Sequence, residues 1–188
     1  MRIAQQLYEG VNIKGQGTVG LITYLRTDST RISVEADAAA KEYIKEAYGA
    51  EFVGAGTVAK KDDKKVQDAH EAIRPTYMTN SPASIKDELS RDQFRLYQLI
   101  WNRFMASRMA PAKYENTSVK IAAGDYRFNA SASKIAFDGF LSVYNINNEK
   151  SEGNVMLKSI DEDTKLTLNA LEPNSILHSH QLIIQKHL

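Results

Sequence analysis

Two short polar segments of the sequence contain side chains that could do chemistry together. The first is G-L-I-T-Y-L-R-T-D-S-T (residues 20–30), where an apolar run leads into a tyrosine, an arginine, an aspartate and three hydroxyl side chains. This pattern is typical of a strand that leaves a core and delivers its polar end to a surface site. Tyr24 and Arg26 are two residues apart, so an extended chain would place both on one side. A tyrosine hydroxyl, with a pKa of about 10, needs a nearby cation or base to act as a nucleophile at neutral pH.

The second polar segment is Q-D-A-H-E-A-I-R-P-T (residues 67–76). His70 and Arg74 are four residues apart, so one turn of helix would align them on one face, and Pro75 would end that turn. A histidine, a glutamate and an arginine in a short, terminated turn favour an anion site over a core position. The H-E-x-x-H pattern of a zinc site is not matched, so the segment does not predict a metal.

A purely structural interpretation stays open for each segment taken alone. Tyr24 could be an aromatic residue at a strand end with a hydrated hydroxyl, the commoner situation of tyrosines. His70 could be an ordinary histidine on a surface helix.

Composition and charge limit the class of protein. The chain has 188 residues, of which 43% are hydrophobic and 25% charged, an ordinary globular composition. The net charge of +1 gives no global sign of a nucleic-acid binder, so such a site would depend on local clusters of Lys and Arg. The absence of cysteine excludes disulfides and cysteine-ligated metal. No apolar run is long enough to span a membrane and no signal peptide is recognisable, so we expect a cytoplasmic protein.

Helical periodicity predicts three helices before residue 112. The first covers residues 1–9, with Ile3, Leu7 and Tyr8 on its apolar face, and residues 11–19 are expected to be a flexible connector. The second follows Ser33 as its N-cap, runs to about Tyr48 and ends at Gly49. Its predicted apolar face consists of Ala36, Ala39, Ala40, Tyr43, Ile44 and Ala47.

The third predicted helix follows a capping box formed by Ser90 and Gln93 and ends at Pro111. Its wide apolar stripe is interpreted as core and not as a stacking platform for nucleobases. The stripe comprises Phe94, Leu96, Tyr97, Leu99, Ile100, Trp101 and Phe104. Strand patterns then cover residues 118–122, 126–132, 137–144 and 164–171. The prediction is an α+β fold with a helical unit over residues 1–111 and a β unit over residues 112–173.

The two polar segments, taken in order, resemble the central region of bacterial type IA DNA topoisomerases. Three further stretches support the resemblance: I-A-Q-Q-L-Y-E-G before the first segment, and L-Y-Q-L-I-W-N-R-F and M-A-P-A-K-Y after the second. The resemblance covers residues 1 to about 173 with colinear spacing. Leu25 stands where many relatives have methionine, an exchange of one apolar side chain for another.

The resemblance implies an activity and roles for individual residues. The family cuts one DNA strand through a covalent 5′-phosphotyrosine, passes the other strand through the break and reseals it, relaxing negative supercoils without ATP. Tyr24 would be the nucleophile, and Arg26 would position the scissile phosphate. The fixed positive charge of Arg26 could also stabilise the transition state. Glu71 matches the family motif without an assignable role. The residues expected near bound DNA are Asp28, Ser29, Thr30, His70 and Arg74.

The resemblance also implies a fold, a cofactor and partners. Residues 1–111 would be a helical, winged-helix-like domain that bears the tyrosine, and residues 112–173 antiparallel strands of the arch domain. Mg²⁺ would be bound by a Toprim domain that lies upstream of Met1 in the family and has no replacement here. The isolated chain is therefore expected to be inactive and to hold no metal. Its expected partners are single-stranded DNA and the remaining domains of a cytoplasmic, nucleoid-associated bacterial enzyme, with no membrane.

Two other classes of function remain possible from the sequence. One is a non-catalytic winged-helix-type DNA-binding module, and the other is a purely structural interaction domain. The module would bind DNA regardless of the Tyr24 hydroxyl, whereas the interaction domain would show no salt-sensitive DNA binding.

The C-terminal residues 174–188 do not resemble the family. Back-translated with allowed codons and read in another frame, Ser175 onward can give Q-H-F-T-Q-P-P-A-H-Y-T-E-A-S, which is close to the family's H-F-T-x-P-P-A-R-Y-T-E-A-S. We therefore expect this tail to be frameshifted and non-native. On that hypothesis His178, His180 and His187 are not metal ligands.

Overall fold

The computed structural model describes residues 1–55, 70–144, 165, 167, 176–178 and 181–183. Three helices and six short or medium strands form an α+β fold, as the sequence predicts. The helices are α1 (Arg2–Glu9), α2 (Val34–Ala47) and α3 (Arg91–Arg108). The strands are β1 (Val11–Ile13), β2 (Gly17–Val19), β3 (Lys113–Ala123), β4 (Tyr126–Phe137), β5 (Ile176–His178) and β6 (Gln181–Ile183). Short 3₁₀ helices cover Ala50–Phe52, Lys86–Glu88 and Gly139–Ser142.

The strands pair as three separate two-stranded sheets, β1–β2, β3–β4 and β5–β6. Contacts divide the chain into two compact units, one of Met1–Lys113 with Ile135–Lys150 and the other of Tyr114–Lys134 with Ser151–Leu188. The first unit contains all three helices and both polar segments.

Residues 11–19 form a β-hairpin, so the expectation of a flexible connector was wrong. β1 and β2 are antiparallel, with Val11 opposite Val19 and Ile13 opposite Gly17. Gly15 and Gly17 have φ angles of 79° and 75°, which glycine adopts without strain and which let the chain reverse. The buried side chain of Ile13 anchors the hairpin in the core.

Helix α2 begins and ends close to the predicted residues. The Ser33 side chain accepts a hydrogen bond from the backbone N–H of Ala36 at 3.3 Å, as an N-cap does. The buried side chains are Ala36, Ala40 and Ile44, whereas Ala39 and Ala47 are exposed. The predicted apolar face was therefore too wide, because the small side chain of alanine gives little indication of the face that it occupies.

Helix α3 contributes four buried hydrophobic side chains to the core of the first unit: Tyr97, Trp101, Phe104 and Met105. Its N-terminus has the predicted capping box between Ser90 and Gln93. Tyr97 and Trp101 are buried as expected, and the Tyr97 hydroxyl donates to the backbone carbonyl of Asn80 at 2.6 Å. Leu99 is exposed, contrary to the prediction.

An ion-pair cluster links α2 to α3. Arg108 lies almost fully buried at the end of α3 and donates to the Asp37 carboxylate at 2.9 Å, while Lys41 reaches the other oxygen of that carboxylate at 2.6 Å. Burial opposes the charge of Asp37, but the hydrogen bonds and the attraction of the two cations outweigh it and hold the pKa of this carboxyl below its ordinary value of 3.8.

Strands β3 and β4 form a hairpin of exposed residues joined by a tight turn at Gly124 and Asp125. Both strands are longer than predicted. The strand expected over residues 137–144 is not present, because the chain turns into the 3₁₀ helix Gly139–Ser142 instead. The strand expected over residues 164–171 lies outside the described residues apart from two positions.

Candidate active site

The two polar segments lie side by side in the first unit. The backbone N–H of Thr23 donates to the Arg74 carbonyl at 2.9 Å, and the N–H of Arg74 donates to the Thr23 hydroxyl at 2.9 Å. The same hydroxyl donates to the Ala72 carbonyl at 2.7 Å. Ile22 and Pro75 form an isolated antiparallel bridge beside these bonds. Backbone pairing therefore brings together residues that are about fifty positions apart.

The predicted helical turn from His70 to Arg74 is not present. Residues 70–76 form extended and bent backbone instead, and Thr23 takes up the backbone groups of residues 72 and 74. Pro75 also disfavours helical geometry at Arg74. His70 and Arg74 are consequently not aligned on one helical face.

Tyr24 and Arg26 are both exposed to solvent, as alternation along the chain predicts. Tyr24 is 38% exposed and Arg26 is exposed, whereas Leu25 between them is only 8% exposed. The segment is bent, and the predicted strand is not present. Exposed and buried side chains nevertheless alternate from Tyr24 to Arg26. Within the described part of the chain, the Arg26 guanidinium forms no ion pair or hydrogen bond.

The Tyr24 ring lies between two other rings. The His70 ring stacks on it, with centroids 5.1 Å apart and planes inclined by 30°. The Tyr8 ring, near the end of α1, contacts it edge-to-face, with centroids 5.6 Å apart and planes inclined by 70°. Both neighbours are themselves solvent-accessible, so the three rings form an exposed aromatic cluster (Tyr8, Tyr24 and His70).

The Arg74 guanidinium is held by protein groups. Its Nε and Nη2 atoms bind Glu71 Oε2 at 2.8 and 2.7 Å, and Nη1 donates to the Pro75 carbonyl at 2.9 Å. Only 13% of the Arg74 side chain is exposed. Glu71, for which the sequence suggested no role, thus balances the Arg74 charge and fixes its orientation.

The hydroxyl residues after Arg26 shape the loop that leads to α2. The N–H of Ser29 donates to the Thr27 hydroxyl at 3.0 Å, and the N–H of Arg31 donates to the Ser29 hydroxyl at 3.2 Å. These local bonds from side-chain hydroxyls to backbone are typical of turns. Asp28 and Thr30 are exposed on the same loop.

Two residues of this site were missed by the sequence reasoning. Tyr8 was assigned to the apolar face of the first helix, and Thr23 was counted only as part of an apolar run. Tyr8 lies in one of the stretches that carry the family resemblance, but its contact with Tyr24 depends on how α1 packs.

The described residues contain no group of three or more His, Asp or Glu side chains arranged to hold a metal ion. Across the same residues, no helix is long and apolar enough to cross a membrane.

Comparisons with known proteins identify the family of this chain. The sequence model of the family described as DNA topoisomerase matches residues 1–178. The full-length topoisomerase I of Thermotoga maritima is similar in structure, with a TM-score of 0.67 and 42% sequence identity. The similarity covers 86% of this chain and 25% of the Thermotoga chain, so this chain spans about a quarter of that protein's length. The family match over most of its length shows that this chain belongs to the bacterial type IA DNA topoisomerases.

Proposed function

We propose that this chain carries the nucleophile of a type IA topoisomerase and that Tyr24 is that nucleophile. The observation that supports this most directly is the exposed Tyr24 ring in contact with the rings of His70 and Tyr8, with the exposed Arg26 two residues further along the chain. An exposed arginine without a protein partner among the described residues is suited to bind a phosphate, because its planar donors match phosphate oxygens.

In the proposed reaction, the Tyr24 hydroxyl oxygen attacks a backbone phosphorus of single-stranded DNA. The bond from phosphorus to the 3′ oxygen breaks, and the tyrosine keeps the 5′ phosphate. The tyrosine hydroxyl gives up its proton to solvent, and the released 3′ oxygen takes up a proton from solvent. Arg26 stabilises the negative charge of the transition state. The reverse attack by the 3′ hydroxyl reseals the strand after the other strand has passed. One phosphodiester is exchanged for another, so relaxation of negative supercoils needs no ATP.

The other predicted site residues have supporting roles in this proposal. His70 contacts DNA beside Tyr24, and Asp28, Ser29 and Thr30 shape the rim of the site. Arg74 contacts DNA only through the N–H groups that Glu71 and Pro75 leave free. The helical unit serves as a winged-helix-like DNA-binding domain, and the β3–β4 hairpin as part of an arch domain.

The Mg²⁺ of the family does not fit the described residues of this chain, because they contain no suitable cluster of acidic or histidine ligands. We therefore assign the metal to a Toprim domain of the complete enzyme. The chain alone is proposed to be inactive. The enzyme is proposed to act in the bacterial cytoplasm, on nucleoid DNA.

A chimera tests the assignment of the nucleophile. In it, this chain replaces the matching segment of Thermotoga maritima topoisomerase I, and cleavage of a labelled single-stranded oligonucleotide is measured. Tyr24→Phe should abolish the covalent protein–DNA product and leave oligonucleotide binding nearly unchanged. Tyr77→Phe is the matched control, because Tyr77 is also an exposed tyrosine of the same unit.

Unchanged cleavage by the Tyr24→Phe chimera would contradict the assignment. DNA binding without cleavage in every chimera would favour a non-catalytic DNA-binding module. Relaxation of a supercoiled plasmid by the 188-residue chain alone would contradict the proposed inactivity.

The hypothesis of a frameshifted tail concerns residues from about 174 onward. The family match ends at residue 178, inside this segment. Sequencing the coding DNA tests the hypothesis directly: codons that read Q-H-F-T-Q-P-P-A-H-Y-T-E-A-S in another frame would support it, and any codon incompatible with that reading would refute it.

A further inference from the structure

Tyr8 is an exposed residue of α1 whose ring contacts Tyr24. It is 38% exposed, whereas its neighbour Leu7 is fully buried and supplies the contact of α1 with the core. The ring contact recorded for Tyr8 is with Tyr24, at 5.6 Å between centroids. An exposed tyrosine that packs on a candidate nucleophile points to a function beyond packing.

The backbone around Tyr8 is tied to the segment that bears Tyr24. The N–H of Leu21 donates to the Leu7 carbonyl at 2.7 Å. Gly20 passes so close that a Cβ atom at this position would lie 2.7 Å from the Tyr8 carbonyl oxygen. This approach is closer than a side chain allows, so only glycine fits there. The end of α1 and the start of the Tyr24 segment are therefore closely packed against each other.

The orientation of the Tyr24 ring depends on its ring contacts. Within the residues that the structure describes, no hydrogen bond to the Tyr24 hydroxyl is found, whereas His70 lies 5.1 Å and Tyr8 5.6 Å from the ring by centroid distance. Edge-to-face and stacked aromatic pairs have preferred geometries, so two such contacts restrict the rotation of the ring between them. A nucleophile whose orientation is already restrained loses less conformational entropy when it reaches the transition state.

We infer that Tyr8 is a positioning residue for Tyr24, which restrains the ring together with His70 and so directs its hydroxyl toward the scissile phosphate. The inference rests on the proposed role of Tyr24 as nucleophile. Because the contact is made through the aromatic ring, phenylalanine at position 8 should preserve it and alanine should not.

The restraint itself can be measured in the 188-residue chain without any activity. The chain is labelled with 3-fluorotyrosine, and the ¹⁹F resonance of Tyr24 is identified as the one lost in Tyr24→Phe. Tyr8→Ala should move this resonance toward the position of free fluorotyrosine and narrow it. Tyr8→Phe should leave it close to its original position, and Tyr77→Ala is the control for loss of an exposed tyrosine elsewhere. An unchanged Tyr24 resonance in a folded Tyr8→Ala chain would overturn the inference.

The consequence for the reaction is measured in the Thermotoga chimera by single-turnover cleavage. Tyr8→Ala should slow formation of the covalent product by about 10- to 100-fold while the Kd for the oligonucleotide stays unchanged, and Tyr8→Phe should restore the rate. A Tyr8→Ala rate equal to wild type would overturn the inference, even if the resonance moves. Cleavage that persists in Tyr24→Phe would instead refute the assignment of the nucleophile, and the fluorine measurement would still decide whether Tyr8 restrains that ring.

Discussion

Thr23 and Arg74 are joined by two hydrogen bonds although they lie 51 positions apart in the sequence. The Thr23 N–H donates to the Arg74 carbonyl, and the Arg74 N–H donates to the Thr23 hydroxyl, both at 2.9 Å. Thr23 directly precedes Tyr24, and His70 lies four residues before Arg74. Together with the hydrogen bonds of Thr76 to Leu21 and Gly20, this pair holds the two polar segments side by side, next to the stacked rings of Tyr24 and His70.

Loss of the Thr23 hydroxyl should weaken this connection. Thr23→Val keeps the shape of the side chain but leaves the Arg74 N–H and the Ala72 carbonyl without their partner. An unsatisfied, partly buried polar group costs about 1–3 kcal/mol, so we expect a loss of that size in the free energy of unfolding, measured with urea. Thr23→Ser, which retains the hydroxyl, is the control and should lose much less. Equal stability of the valine and serine variants would show that these bonds contribute nothing.

Neutralising Glu71 should strengthen the binding of DNA. Glu71→Gln removes the carboxylate that binds Arg74 at 2.7 Å and frees the guanidinium for a phosphate. The slope of log K against log salt for a single-stranded oligonucleotide should steepen by about 0.7, the value for one added phosphate contact. Glu42→Gln on the exposed surface of α2 changes the net charge equally and should leave the slope nearly unchanged. Identical slopes in both variants would argue against a phosphate contact by Arg74.

The Asp37 cluster should make the stability of the fold depend on pH in the acid range. Hydrogen bonds from Lys41 and Arg108 outweigh the burial of Asp37 and hold its pKa in the folded chain below 3.8, so the unfolded chain binds a proton more readily. The contribution to stability is therefore complete above the unfolded pKa and is lost as pH falls through the folded pKa.

The measurement is urea unfolding of wild type and Asp37→Asn between pH 7 and pH 3. At pH 7 the variant should be less stable by about 1.5–3 kcal/mol, the usual range for a hydrogen bond to a charged group. The difference should shrink below pH 4. A difference that stays constant down to pH 3 would contradict the role assigned to the Asp37 charge.

The elements that depend on local sequence were predicted well. The N-cap at Ser33 and the capping box of Ser90 and Gln93 were confirmed, because a cap is formed by residues at most three positions apart. The conformation of residues 70–74 was predicted wrongly, because hydrogen bonds to Thr23 outweigh the local preference for a turn of helix. The β1–β2 hairpin was missed because its strands are only three residues long and its glycines suggested a connector.

The sequence by itself determined the candidate nucleophile, its arginine and the family of the protein. Tyr24 and Arg26 are two residues apart, and alternation along the chain is enough to predict that both are exposed while Leu25 between them is buried. Tertiary structure decided what surrounds Tyr24. Tyr8 and His70 come from segments far apart in the chain, and their ring contacts with Tyr24 arise only when α1 and residues 70–76 pack against residues 20–24. No local pattern encodes such contacts, because hydrogen bonds and burial between distant segments select them.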